Sequence, residues 1–147
     1  MKHLLLALAL CCAASLSAQA TPPTKHTVAV AVQAQDEKTA EIQFENVNHN
    51  FGTFSEQEPV VKCTFKFTNT GTAPLIIHQA IASCGCTVPT FTKTPVRPGE
   101  SGTIEVTYNG KGKATGQFKK VITVRSNAKE NGVVRLYIEG NMTSDGN

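Results

Sequence analysis

Apolar and polar residues alternate most strictly along Val60–Asn69. Val61, Cys63, Phe65 and Phe67 share one face, and Lys62, Thr64, Lys66 and Thr68 share the other. Successive side chains of a strand point to opposite sides, so this pattern predicts a half-buried strand with Cys63 turned inward beside the phenylalanines. Gly102–Tyr108 repeats the alternation through Ile104, Val106 and Tyr108, and Ile42 and Phe44 begin it near position 41. Phe118–Val124 alternates less strictly, and Val133–Ile138 follows it as a further strand. Leu75–Ala82 is largely apolar, which predicts burial on both faces or a bulge.

Turn residues punctuate these runs. Asn69-Thr70-Gly71 closes the clearest strand. Pro98-Gly99 fits a type II turn, with proline setting the first dihedral and glycine taking the positive one. Asn109-Gly110 is expected to open a hairpin loop running to Gly116, and Asn131-Gly132 to close another into Val133. Asn48–Thr53 reads as turn-rich, and Thr87–Pro95 as irregular. No helical period is evident after the first twenty residues. Seven or so short strands spaced by turns over about 100 residues predict an all-β fold, an immunoglobulin-like antiparallel β-sandwich.

The start of the chain reads differently. Lys2 and His3 precede an apolar run, Leu4–Ala14, too short for a membrane-spanning helix, and Ala18-Gln19-Ala20 has the small residues of a cleavage site. Residues 1–20 are therefore expected to be a signal peptide, with export to the periplasm or surface of a bacterium. Cys11 and Cys12 follow Leu10 and Cys11 rather than Ala or Gly, so a lipid anchor is not expected. Residues 21–40, with Pro22-Pro23 and many small residues, read as a linker, although Val28–Val32 alternates weakly. The sandwich is then expected over 41–142, with a polar tail at 143–147. No second apolar stretch suggests a membrane span.

Charge excludes one class of partner. Without residues 1–20 the chain keeps 13 basic against 11 acidic residues, a net charge of +2, too balanced for nucleic-acid binding. With no tryptophan and only seven phenylalanines and two tyrosines, β-branched residues must supply much of the core.

The order of motifs resembles a known family. Phe51-Gly52, then Phe65 and Phe67 with Asn69-Thr70-Gly71, Pro74-Leu75-Ile76-Ile77 and Ser83-Cys84-Gly85-Cys86-Thr87 occur in sequence. Pro98-Gly99-Glu100, Gly116 with Phe118, Ser126-Asn127 and Gly140 complete the series. This series, from about Glu41 to Met142, resembles the exported bacterial family called domain of unknown function fifteen-seventy-three. The family is similar to major sperm protein and related cilium and centrosome domains. The resemblance implies a β-sandwich that binds partners without catalysis; it implies no substrate.

Three cysteines remain after residue 20: Cys63, Cys84 and Cys86. An odd number in an oxidising compartment leaves one thiol unpaired, metal-bound or joined to another molecule. Three readings stay open. A bridge from Cys63 to Cys84 or Cys86 would staple two strands, and this structural reading leads. Cys84 and Cys86, on one face of an extended segment, could instead grip a soft ion such as Cu(I), with Cys63 and His78 as further ligands. A bridge between Cys84 and Cys86 themselves would close a very small ring and suit thiol exchange. Redox catalysts often place the thiol at a helix start, and none is expected here.

Other motifs carry less. Lys111, Lys113, Lys119 and Lys120 surround Gly110, Gly112 and Gly116, but the spacing is not that of a phosphate loop, and a solvated loop tip is expected. Asn141-Met142-Thr143 matches a glycosylation sequon in what reads as a tail. His26, His49 and His78 form no metalloprotease motif, no nucleophile elbow is present, and Glu56 and Glu58 read as solvated. No catalytic residues are assigned. The functional expectation is a binding module for an envelope or surface protein, with a thiol-based copper or redox protein as the alternative.

Overall fold

The alternation along Val60–Asn69 becomes the centre of one sheet. In a computed structural model, which describes residues 37–144, eight strands form. They are β1 (Ile42–Phe44), β2 (Asn48–Ser55), β3 (Val60–Asn69), β4 (Ile77–Ala82), β5 (Thr87–Phe91), β6 (Ser101–Asn109), β7 (Gly116–Ser126) and β8 (Val133–Thr143). One sheet has the order β1-β3-β6-β5 and the other β2-β8-β7-β4. The fold is the expected immunoglobulin-like β-sandwich. Residues 1–36, with the expected signal peptide, the Val28–Val32 segment and most of the linker, lie outside the described residues, as do 145–147.

The inward faces follow from the period of two. Cys63, Phe65 and Phe67 of β3 and Ile104, Val106 and Tyr108 of β6 face Ile122 and Val124 of β7 and Leu136 and Ile138 of β8. Phe67 needs room, and its partner across the ladder is Gly102; a Cβ there would collide with the ring. Tyr108 stacks on Phe118 at 4.0 Å between centroids, joining the sheets at one end.

Asn69 holds the other end together. Its side chain is fully buried, and all four of its hydrogen-bonding positions are used. Nδ2 donates to the carbonyls of Ala73 and Val96 at 2.8 and 2.9 Å, and Oδ1 accepts from the amides of Gly71 at 2.9 Å and Glu41 at 3.4 Å. The entry to β1, the β3–β4 turn and the β5–β6 loop thus meet on one side chain. Thr39 and Ala40, expected in the linker, belong to this junction: the Thr39 carbonyl accepts from Thr72 and Ala73, and Ala40 is buried.

Four local expectations change. Asn48–Thr53 is strand, not turn. Gly52 (φ 69°) and Asn50, whose Oδ1 accepts from the Gly52 amide at 2.7 Å, form a bulge within β2. That strand pairs parallel to β8, the one parallel pair among the described residues. Thr87–Phe91 is also strand, with Pro89 tolerated because β5 is an edge. Asn109–Gly116 is not a hairpin, since β6 and β7 lie in different sheets and the loop crosses between them. The sequon lies on β8, where Asn141 pairs with Thr53 and Gln117, not in a tail. Other expectations hold: β7 and β8 form the Asn131-Gly132 hairpin, β4 has a bulge between Ile77 and Gln79, and Gly99 (φ 79°) completes a turn closed by Glu100 N–H to Arg97 C=O.

Removing the Asn69 side chain strands the buried Val96 carbonyl, the part-buried Ala73 carbonyl and two part-buried amides. Asn69→Ala is expected to lower the unfolding free energy by about 2–4 kcal/mol, read as a lower urea midpoint at unchanged slope. A loss below about 1 kcal/mol would show that water replaces the side chain at this junction.

Candidate functional site

The Ser83–Cys86 segment carries the chain from β4 in one sheet to β5 in the other. Both its ends are pinned. Ser83 N–H donates to the Val121 carbonyl at 2.9 Å, and Ser83 Oγ accepts from the Val121 amide at 3.3 Å. At the far end the Cys86 carbonyl accepts from Asn109 N–H at 2.8 Å, and Thr87 N–H closes a turn onto the Cys84 carbonyl at 3.2 Å. Between these anchors the segment turns outward, with Gly85 exposed and both cysteines half-buried.

Cys84 and Cys86 are joined to each other, with Cα atoms 5.4 Å apart. The expected staple from Cys63 to one of them does not form. Register gives the reason. Cys63 lies opposite Val106, whereas Cys86 precedes Thr87, which lies opposite Tyr108. Cys63 and Cys86 are therefore two strand spacings apart across the sheet and three residues apart along it, about 14 Å in all. A disulfide spans roughly 7 Å at most between Cα atoms. Cys63 stays free and buried, and burial pushes its thiol up to about 11.

The residues suggested for a metal do not converge. Cys63 faces the core, His78 is exposed on β4, and Cys84 and Cys86 are bonded to each other. Among the described residues no group of three or more histidines, cysteines or carboxylates could hold an ion. Cu(I) binding by Cys84 and Cys86 would require the bridge to be reduced first, because the ligand is the thiolate.

Two features escaped the sequence reading. The hydroxyl of Thr87, itself buried, lies 3.7 Å from Cys84 Sγ and 3.8 Å from Cys86 Sγ. Lys111 and Lys113 line one open hollow with Cys84, Gly85, Cys86 and Asn109. Asn109 ties the two loops: its amide holds Cys86, and its Oδ1 accepts from Lys111 N–H at 2.9 Å. The cluster of basic residues near Gly110 was legible, but that Lys111 and Lys113 alone of it line the hollow at the bridge was not, because it depends on β6 pairing with β5. Lys119 lies elsewhere, 3.5 Å from Glu139 and over the Tyr137 ring.

The second candidate surface is the strand leading into the bridge. The sandwich has four edges: β1, β5, β2 and β4. Natural edges are blunted by shortness, bulges, proline or charge. β1 has three residues, β2 is bulged at mid-length, and β5 contains Pro89. β4 is bulged only at its start and carries no lysine, arginine, carboxylate or proline from Ile77 to Ala82. Ile81 on β4 and Val88 on the neighbouring β5 are 49% and 57% exposed, leaving apolar surface on both sides of the bridge.

Comparison with known proteins places these features. The family model described as "Protein of unknown function (DUF1573)" matches residues 42–142, in agreement with the resemblance read from the motifs. None of the curated proteins matches the chain. Among solved structures, a protein of unknown function from Porphyromonas gingivalis W83 superposes with a TM-score of 0.63 at 15% identity, over 71% of this chain and 47% of that one. The ASH/PapD-like domain 7 of human CEP192 superposes with a TM-score of 0.57 at 10% identity, over 90% and 95%. The secreted serine protease VesC from Vibrio cholerae gives 0.52 at 14% identity, over 69% and 23%. The chain thus spans about half of the first protein and under a quarter of the protease. At these identities the likeness is one of fold.

Cys63 makes stability depend on alkaline pH. Its folded value near 11 lies above the ordinary thiol value, so the unfolded chain loses its proton first as pH rises. Its contribution is fully present below the ordinary value and is lost on approaching pH 11. Urea unfolding of Cys63→Val against the parent at pH 8 and pH 10.5 is expected to show the parent losing about 2 kcal/mol more. Equal losses would mean that the thiol ionises freely in the fold. Native alkylation mapped by peptide mass should likewise leave Cys63 unlabelled until urea is added.

Proposed function

The chain belongs to the DUF1573 family, and on that premise we propose that it is an exported, non-catalytic binding module. It holds an extended segment of another envelope protein along β4. The observation that carries this reading is the unguarded β4 edge. Among the described residues its backbone pairs with β7 on one side only, so outward amides and carbonyls can take up a further strand. Main-chain hydrogen bonds supply the general grip, and the exposed Ile81 and Val88 favour apolar side chains at alternate positions of the bound segment. Export is supported by the basic and apolar start of the chain and the Ala18-Gln19-Ala20 sequence. The partner is a protein rather than nucleic acid, since the charge is nearly balanced and the edge carries no lysine or arginine.

Photocrosslinkers placed at Gln79 and, on the opposite sheet, at Lys62 test this reading in the native envelope. A saturable protein adduct is expected from Gln79 and not from Lys62. Ile81→Lys, which puts charge on the edge, should weaken that adduct about tenfold, because about 1–2 kcal/mol of apolar burial is lost. Equal labelling from both positions, or a Gln79 adduct indifferent to Ile81→Lys, would sink the proposal.

A further inference from the structure

A bridge across one intervening residue is a poor staple. The stabilisation that a disulfide gives through chain entropy grows with the length of the loop it closes, and here that loop encloses a single residue, Gly85. The segment is moreover already fixed at Ser83 by Val121 and at Cys86 by Asn109. The Cys84–Cys86 bond therefore ties together what hydrogen bonds and chain connectivity already hold. Its surroundings, in contrast, are those of a reacting group. It borders an open hollow, two lysines line that hollow, and one buried hydroxyl lies beside both sulfurs.

We propose that Cys84–Cys86 is a thiol-exchange site that selects thiols carrying negative charge. An incoming thiolate enters the hollow between Lys111 and Lys113, which attract its anionic groups and offset its charge. It attacks one sulfur of the bridge. A bond forms between the incoming sulfur and that cysteine, the Cys84–Cys86 bond breaks, and its electron pair passes to the other cysteine as thiolate. The Thr87 hydroxyl, within reach of either sulfur, donates to this leaving thiolate, which then takes a proton from water. A second thiol attacks the mixed disulfide at the incoming sulfur. The two external thiols leave as their disulfide, and the protein retains two thiols. The thiol is the reductant and the bridge the oxidant, two electrons passing in all. Cys63 takes no part, because it is buried two strands away.

Charge selection separates this site from an inert bridge. Reduction rates are measured with 2-mercaptoethanesulfonate, 2-mercaptoethanol and cysteamine, by acid quench and intact mass. Each rate is divided by that for a neutral small-molecule disulfide, which removes differences in thiol reactivity. At low salt the anionic thiol is expected to exceed the cationic one by about fivefold or more, with the neutral thiol between. The exposed-loop variant Lys111→Gln/Lys113→Gln should bring the three within about twofold, as should roughly 1 M salt. Thr87→Val should slow all three thiols equally, while Thr87→Ser keeps the hydroxyl and the rate. No charge preference in the parent, or one that survives the double lysine substitution, overturns the proposal. An unchanged rate in Thr87→Val removes the hydroxyl from it.

Discussion

The sandwich depends on the fully used side chain of Asn69. A buried amide with four partners resists any rearrangement that would leave one unpaired, because each lost hydrogen bond leaves a buried or partly buried polar group without its partner. The backbone of the same residue adds two ties, accepting from Gly99 N–H at 2.8 Å and donating to the Glu100 carbonyl at 2.9 Å. Chain entering β1, leaving β3 and approaching β6 is thereby fixed at one point. The Leu75–Val96 bridge lies beside it, and β4 begins two residues later. The start of β4 is held from its other side by Asn127, whose Oδ1 accepts from Ile76 N–H at 2.8 Å and whose Nδ2 donates to the Pro74 carbonyl. Two asparagines, both within motifs visible in the sequence, thus set where the open edge starts and which way it runs.

What was legible in the sequence divides along the line between local and distant causes. β3 and β6, and less strictly β7, were read because their own alternation encodes which face is buried, and β8 because the Asn131-Gly132 turn signals a hairpin into it. The Pro98-Gly99 turn was read because its dihedrals are set within four residues. β2 and β5 were missed because their residues look like loop: Asn50 and Gly52 serve as a bulge inside a strand, and Pro89 sits on an edge where its missing amide costs no ladder bond. In both cases the partner strand, not the local sequence, decides the conformation. The same division explains the cysteines. That Cys63 faces the core followed from a period of two, but which sulfurs meet depends on the register of β3, β6 and β5, and that is a property of the assembled sheet.

The crossing of strands between sheets turns these local facts into a surface. Of the seven connections, only β5–β6 and β7–β8 stay within one sheet. The β4–β5 and β6–β7 crossings meet through Asn109, and that meeting brings Lys111 and Lys113 to the bridge. Neither loop alone would make a site. A solvated basic tip is what lysines at a loop usually provide, and a neighbouring disulfide gives the same charges something to act on.

The open edge and the bridge are contiguous yet mechanically separable. β4 ends at Ala82, and Ser83 and Cys84 follow directly, so a segment laid along the edge would run toward the hollow. The Ser83–Val121 and Cys86–Asn109 hydrogen bonds, however, do not pass through sulfur, so opening the bridge breaks none of them directly. Only the residues between those anchors gain freedom. The β4–β7 ladder that presents the edge contains no bond that passes through either sulfur. Binding along β4 and exchange at Cys84–Cys86 share a side of the molecule without sharing the interactions that sustain them, which is why a failure of either reading leaves the other standing.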